Sequence, residues 1–262
     1  MNPMITLLYS LPDLGVAILF GLVTSAAFAV APLLRARLFG RVSQAESEIA
    51  RSTMATITSI TGVVLAFSLV QAQGNLRAVQ QTVADESMQL NQMDRLLTRY
   101  GDAKVAAIRE AAHTYADSIV VDEWPKLSER SRSPRTAVLF RTLSASILAI
   151  QPAPGRETVI YADLVRITDQ LAESRENRLI ATDLGLQPIF WGVIMALMLV
   201  LIGFAAFVEP GRGEIISLAG LGVGLALLTA LVFIFDQPFL GGVSVTSDPI
   251  ANVLKVMRAR TS

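Results

Sequence analysis

Hydrophobic and polar positions divide this chain into four long apolar runs and one long mixed stretch. Leu14–Leu34, Ser52–Gln73, Leu184–Val208 and Ile215–Phe235 carry no charged residue. A helix rising 1.5 Å per residue needs about 20 apolar residues to cross a hydrocarbon core of roughly 30 Å, and each run is long enough. Beyond the second run, apolar residues recur at Leu76, Val79, Val83, Leu90, Met93 and Leu97. That spacing predicts an amphipathic helix continuing out of the membrane. Gly101-Asp102 reads as a C′ glycine and an N-cap, the mark of a tight turn. A second helix from Ala103 is expected to end near Trp124-Pro125, and Ser133-Pro134 opens a third to about Ile150. Gln151–Gly155 breaks it, and a fourth, charge-rich helix runs from Arg156 to about Thr182. Asp13 stands where an N-cap of the first span belongs, with Pro32 bending only its last turn. Pro188 starts the third span in its first turn, where proline is tolerated.

The pattern predicts an all-α integral membrane protein with no strands. It has two spans (1–73), a water-facing helical bundle (74–187), two more spans (188–235) joined by the short Glu209–Glu214 link, and a tail (236–262). Met1–Leu11 lacks a positive n-region and the run after it exceeds a signal peptide's h-region, so the first span is expected to be a retained anchor. Composition agrees: 52% of residues are hydrophobic, mean hydropathy is +0.51, and 17% are charged, against about a quarter in soluble domains. The 22 basic and 22 acidic residues cancel, which excludes the basic face that nucleic acid requires. Fourteen of the basic and 15 of the acidic residues fall in 74–187, as a wet insert between spans demands. Cysteine is absent, which excludes disulfides, thiolate chemistry and cysteine metal sites.

The second span is rich in hydroxyls. Thr58, Thr61, Leu65 and Ser68 keep the spacing of one helix face, and Ser52, Thr56 and Ser59 occupy an adjacent strip. One reading is a helix lining a water-filled path, with Leu65 and Phe67 near an apolar constriction that gates by dewetting. The other is small hydroxyls packed against neighbouring helices and bonded to their own i−4 carbonyls. In the fourth span, Gly220-Leu-Gly-Val-Gly224 contains a small-xxx-small pair suited to helix contact. It follows no strand and so does not read as a phosphate loop.

Little else carries chemistry. His113 is the single histidine and reads as satisfied or solvated. The adjacent pairs Asp85-Glu86 and Asp122-Glu123 point about 100° apart on a helix and do not converge as acid and base. No metal site, no cofactor and no enzymatic activity are expected. Asp236, at the end of the fourth span, needs a partner or water. It is expected to pair with Arg77 or Arg178 and lock the spans to the insert, or else to belong to an ion path.

The string Asp236-Gln237-Pro238-Phe239-Leu240-Gly241-Gly242-Val243-Ser244-Val245 resembles the closing motif of the bestrophin-like family of bacterial membrane proteins. Ala66-Phe67, Arg77, Asp85-Glu86, Glu123-Trp124-Pro125 and Arg175–Arg178 are similar to that family too, and Ser87 departs from it where alanine is common. The resemblance covers nearly the whole chain. It implies a multi-pass protein of the bacterial inner (plasma) membrane and kinship with bestrophins, which are oligomeric anion channels with four spans per subunit. Two functions follow: a homo-oligomeric channel or channel-like pore for small inorganic ions, or a non-conducting sensor or scaffold whose insert binds a partner. Arg35, Arg37, Arg41 and Arg212 place both short connections in the cytoplasm by the positive-inside rule, leaving the insert periplasmic. Arg77, Arg175, Arg178 and Lys255 flank the opposite side, and bestrophins keep their helical domain cytoplasmic. A reporter fused at Ser262 distinguishes the two.

Overall fold

The computed structural model describes residues 7–40, 42–101 and 103–260. Asp102, the expected N-cap, and Arg41 lie outside them. The chain forms α1 (Asp13–Phe39), α2 (Gln44–Tyr100), α3 (Ala103–Ser118), α4 (Trp124–Leu127), α5 (Pro134–Leu148), α6 (Arg156–Ile180), α7 (Pro188–Ala205), α8 (Arg212–Asp236) and α9 (Asp248–Ala259). No strand occurs among the described residues. Among the described residues, four helices are long and apolar enough to cross a membrane, and they are α1, α2, α7 and α8.

Contacts divide the chain into two compact units. Met1–Leu76 with Gly185–Ser244 form the first, and Arg77–Leu184 with Val245–Ser262 form the second. The 57 residues of α2 supply both units without a break at Gly74. A capping box starts this helix. Glu46 N donates to Ser43 Oγ at 3.3 Å and Ser43 N donates to Glu46 Oε2 at 2.9 Å.

In the first unit α1 packs closely on α8. Gly222 makes this possible, because a Cβ there would stand 3.0 Å from Ser25 Cα and 3.1 Å from the Thr24 carbonyl oxygen. Gly220 and Gly224, the small-xxx-small pair, have nothing within 4 Å of a Cβ and are exposed. Phe28, Met54, Leu65, Ile194, Leu201 and Leu225 fill the interior. Leu14, Leu22, Val30, Leu38 and Ile216 stay exposed, as suits helices solvated by lipid. Asp13 is the first residue of α1, with Pro12 in the cap position. Its carboxylate instead accepts from Gly242 N at 3.3 Å.

The second unit is a helical bundle. Ser133 caps α5 by accepting from Thr136 N, with Pro134 following as expected. Pro125 does not stop the helix before it. A π-type turn over Ile119–Glu123 joins α3 to α4, and Trp124 N–H reaches back five residues to Ile119 O. The wider turn gives the chain room for a proline that has no N–H to donate. The tail divides between the units, and its amphipathic helix α9 buries Ile250, Leu254 and Met257.

Candidate functional site

The hydroxyl stripe of α2 faces inward. Thr61, Leu65 and Ser68 are buried, and Thr61 and Ser68 donate to the carbonyls of Ile57 and Val64 at 2.8 and 2.9 Å. Within one copy this strip turns to neighbouring helices: spacing identifies a shared face but not which way that face looks. Thr58 is part-buried, and Phe67 alone of the five candidates is fully exposed, at 69%. The adjacent strip faces out. Ser52, Thr56 and Ser59 are exposed, and Ile60, Val63, Phe67 and Val70 continue that face.

At the end of α8, Asp236 is buried and accepts a short hydrogen bond from Leu186 N. It stitches the end of one span to the segment leading into α7. Pro238 is buried, Leu240 N closes a turn onto Gln237 O at 3.3 Å, and Gly241 takes φ +80°. Phe239 is part-buried, and Gly242 places its N–H against Asp13. A Cβ at Gly185 would stand 2.6 Å from the Gln237 amide nitrogen, so a side chain here would displace the Gln237 side chain. Arg178 bonds carboxylates of its own unit. Arg77 makes no ion pair among the described residues.

Those carboxylates belong to the strings that carry the family resemblance, and the second unit brings them together. Arg178 Nε and Nη2 donate to Glu86 Oε2 and Oε1 at 2.6 and 3.2 Å. Arg178 Nη2 also reaches Glu123 Oε2 at 2.8 Å, and Arg175 Nη2 takes Glu123 Oε1 at 2.7 Å. The side chains of Arg178, Glu86 and Glu123 are fully buried. The Arg178 guanidinium stacks 5.6 Å above the Trp124 ring. The π-type turn supplies Glu123, and Pro125 sets that turn. Burial works against the Arg178 charge, but the adjacent Glu86 and Glu123 carboxylates more than reverse this and hold the guanidinium above its ordinary pKa. Burial, reinforced by Glu86, pushes the Tyr115 phenol well above its usual value. All four carboxylate oxygens are used and two charges of each sign cancel, so the cluster rivets α2, the π-type turn and α6 together. The outer members of the adjacent pairs behave differently: Asp85 accepts from Gln81 at 2.8 Å, and Asp122 meets Arg135 at 3.1 Å.

A second cluster, absent from the sequence reading, surrounds Asp94. Its Oδ1 receives Arg109 Nε at 2.6 Å and faces His113 Nε2 at 3.0 Å, and its Oδ2 receives Arg260 Nη1 at 2.8 Å. Glu110 lies 3.7 Å from the other nitrogen of His113, so the single histidine is a satisfied core residue. Arg260 ends α9 and also donates to Asn91 Oδ1 at 2.6 Å, so Asp94 pins the C-terminal helix. The signal was available: Glu86 and Asp94 sit on the apolar stripe of Val83, Leu90 and Leu97, where a carboxylate implies a buried partner. Burial of Asp94 opposes ionisation, but hydrogen bonds from Arg109, His113 and Arg260 prevail and lower its pKa. A depressed carboxyl stabilises the fold above its unfolded pKa and loses that contribution as pH falls through the folded value. The stability of the insert is therefore expected to drop as the pH is taken below about 4. In Asp94→Asn this part of the pH profile should flatten. Parallel wild-type and variant melting curves across that range would remove Asp94 as the cause.

The family model described as Bestrophin-like domain matches residues 18–250. No curated protein matches the chain in sequence. Among solved structures, two mutants of a bacterial bestrophin homologue from Klebsiella pneumoniae are similar. The first has a TM-score of 0.65 at 11% identity and covers 92% of this chain and 98% of that one. The second has a TM-score of 0.63 at 13% identity, covering 94% and 99%. A further structure, described as a mutant membrane protein, has a TM-score of 0.62 at 12% identity, covering 94% and 98%. At these identities the likeness is one of fold.

Proposed function

Because the chain belongs to the Bestrophin-like family, we propose that it assembles as a symmetric ring of copies around a path for small inorganic ions, anions by kinship, lined by the exposed face of α2. The observation that carries this reading is the composition of that face. Ser52, Thr56 and Ser59 offer hydroxyls along one half, and Val63, Phe67 and Val70 form an apolar half, all exposed within a single copy. Thr56 and Ser59 donate to carbonyls four residues back, so these hydroxyls are satisfied within the helix and leave the face polar without charge. An apolar stretch following a polar one is the arrangement that gates by dewetting. Four spans cannot enclose an aqueous path alone, so a ring is required, and the open Gly220 and Gly224 suit close contact with a neighbouring copy.

Current through purified protein in planar bilayers tests this. Phe67→Ser is expected to raise conductance by wetting the constriction, whereas Thr61→Val, on the buried strip, should leave it unchanged. A wild-type chain that is monomeric in mild detergent and carries no current would favour the sensor or scaffold instead. Equal responses of the two variants would sink the assignment of the face.

A further inference from the structure

Between the early turns of α2, from Arg51 to Thr58, and the start of α8, the membrane unit contains a cavity of about 510 Å³. Its lining combines charged, hydroxyl and apolar side chains. Arg51, two turns into α2, and Glu214, in the first turn of α8, are substantially exposed and meet through one long contact of 3.4 Å. Thr58, part-buried, and Ser217, exposed, also line it, and Met54 and Leu218, both buried, form the apolar wall. From Arg51 to Thr58 is seven residues, or about 10 Å along the helix axis. Thr58 Oγ is buried and without a partner among the described residues. Thr56, Ser59, Thr61 and Ser68 of the same helix all bond carbonyls four residues back.

A charged pair at the rim, an unused hydroxyl beneath it and an apolar wall beside it match the order of groups in an amphiphile. A ligand of one charge would meet an opposing carboxylate or guanidinium, and a wholly apolar ligand would use neither. A zwitterion satisfies both, with charge-assisted hydrogen bonds on each side. The ion pair it would part is exposed and long, the kind that contributes little. We propose that this cavity binds a zwitterionic glycerophospholipid. Its headgroup ammonium sits at Glu214, its phosphate at Arg51, an ester carbonyl accepts from Thr58 Oγ, and the first methylenes cover Met54 and Leu218. Arg51, Met54 and Thr58 lie on a different strip of α2 from Ser52, Thr56 and Ser59, so the lipid leaves the exposed face of α2 open.

Native mass spectrometry of the full chain, equilibrated with equal amounts of phosphatidylethanolamine and phosphatidylglycerol in mild detergent, tests the site. The wild type is expected to retain phosphatidylethanolamine in preference by about tenfold, the worth of one charge-assisted hydrogen bond. Arg51→Gln and Glu214→Gln should each reduce that retention by about the same factor. Thr58→Val, which keeps the shape and the fold, should weaken it with both charges in place, and Glu48→Gln, on the exposed start of α2, should not. Preference for phosphatidylglycerol would show an anion site and overturn the proposal. So would equal retention of both lipids, loss of neither in the variants, or a cavity kept lipid-free by a second copy of the chain.

Discussion

Arg178→Met is expected to destabilise the insert by about 3–5 kcal/mol, the cost of breaking a buried ion pair by removing one partner. Glu86 would lose its bidentate partner while remaining fully buried, and Glu123 would keep only Arg175 of its two guanidiniums. The loss comes mainly from stranding charge rather than from the pair's own net worth, which gives a sharp second test. Arg178→Met with Glu86→Leu removes the stranded carboxylate and leaves Glu123 with Arg175, so most of the stability should return. Arg178→Lys should be intermediate, because a point charge cannot reproduce a planar fork that spans two carboxylates. Trp124 stacks on Arg178, so its fluorescence in a Trp191→Phe background reports the insert directly. If Arg178→Met melts with the parent chain, or the double variant is worse than the single, the riveting role fails.

The second large effect is expected in the membrane unit. Gly222→Leu should separate α1 from α8, at a cost of about 1–3 kcal/mol or more for overpacking. The atoms a Cβ would meet include the Ser25 Cα and the Thr24 carbonyl, with Phe28 beside them at 3.2 Å. Backbone cannot turn aside as the end of a flexible side chain can. Gly220→Leu and Gly224→Leu, with open space around them, should melt like the parent in the single copy. If they instead shift the oligomer distribution, the neighbouring-copy contact gains direct support. Thermal unfolding and size exclusion of the three variants in one detergent separate these effects. A stable Gly222→Leu would mean that the packing of α1 on α8 does not depend on this close approach.

The glycine string shows how far sequence reaches. Small residues inside an apolar helix signal close approach, but three glycines within five positions do not say which one is used. The same limit explains the stripe of α2. A 3-4-3 repeat is a property of one helix, whereas inside and outside are properties of its neighbours, so Thr61 and Ser68 could be grouped but not oriented. Helix ends were more legible. Ser133-Pro134, Pro188 and the glycine at 101, which takes φ +79°, act through local backbone chemistry. Pro125 misled because a π-type turn, a tertiary accommodation, carried the helix past it. The tail hid α9, although Ser247-Asp248-Pro249 followed by Ile250, Leu254 and Met257 is a helix start with an apolar face.

The amino-acid order by itself determined that four helices cross a bilayer around a polar helical insert, because transfer from water to lipid depends on length and apolarity, which are written locally. Its short strings also carried the family. Only the tertiary structure decided that Arg178 answers to Glu86 and Glu123, that Asp236 holds Leu186, and that Asp94 pins the last helix. Partners 92, 55, 50 and 166 residues apart meet only once the packing of several helices has brought them within hydrogen-bond reach.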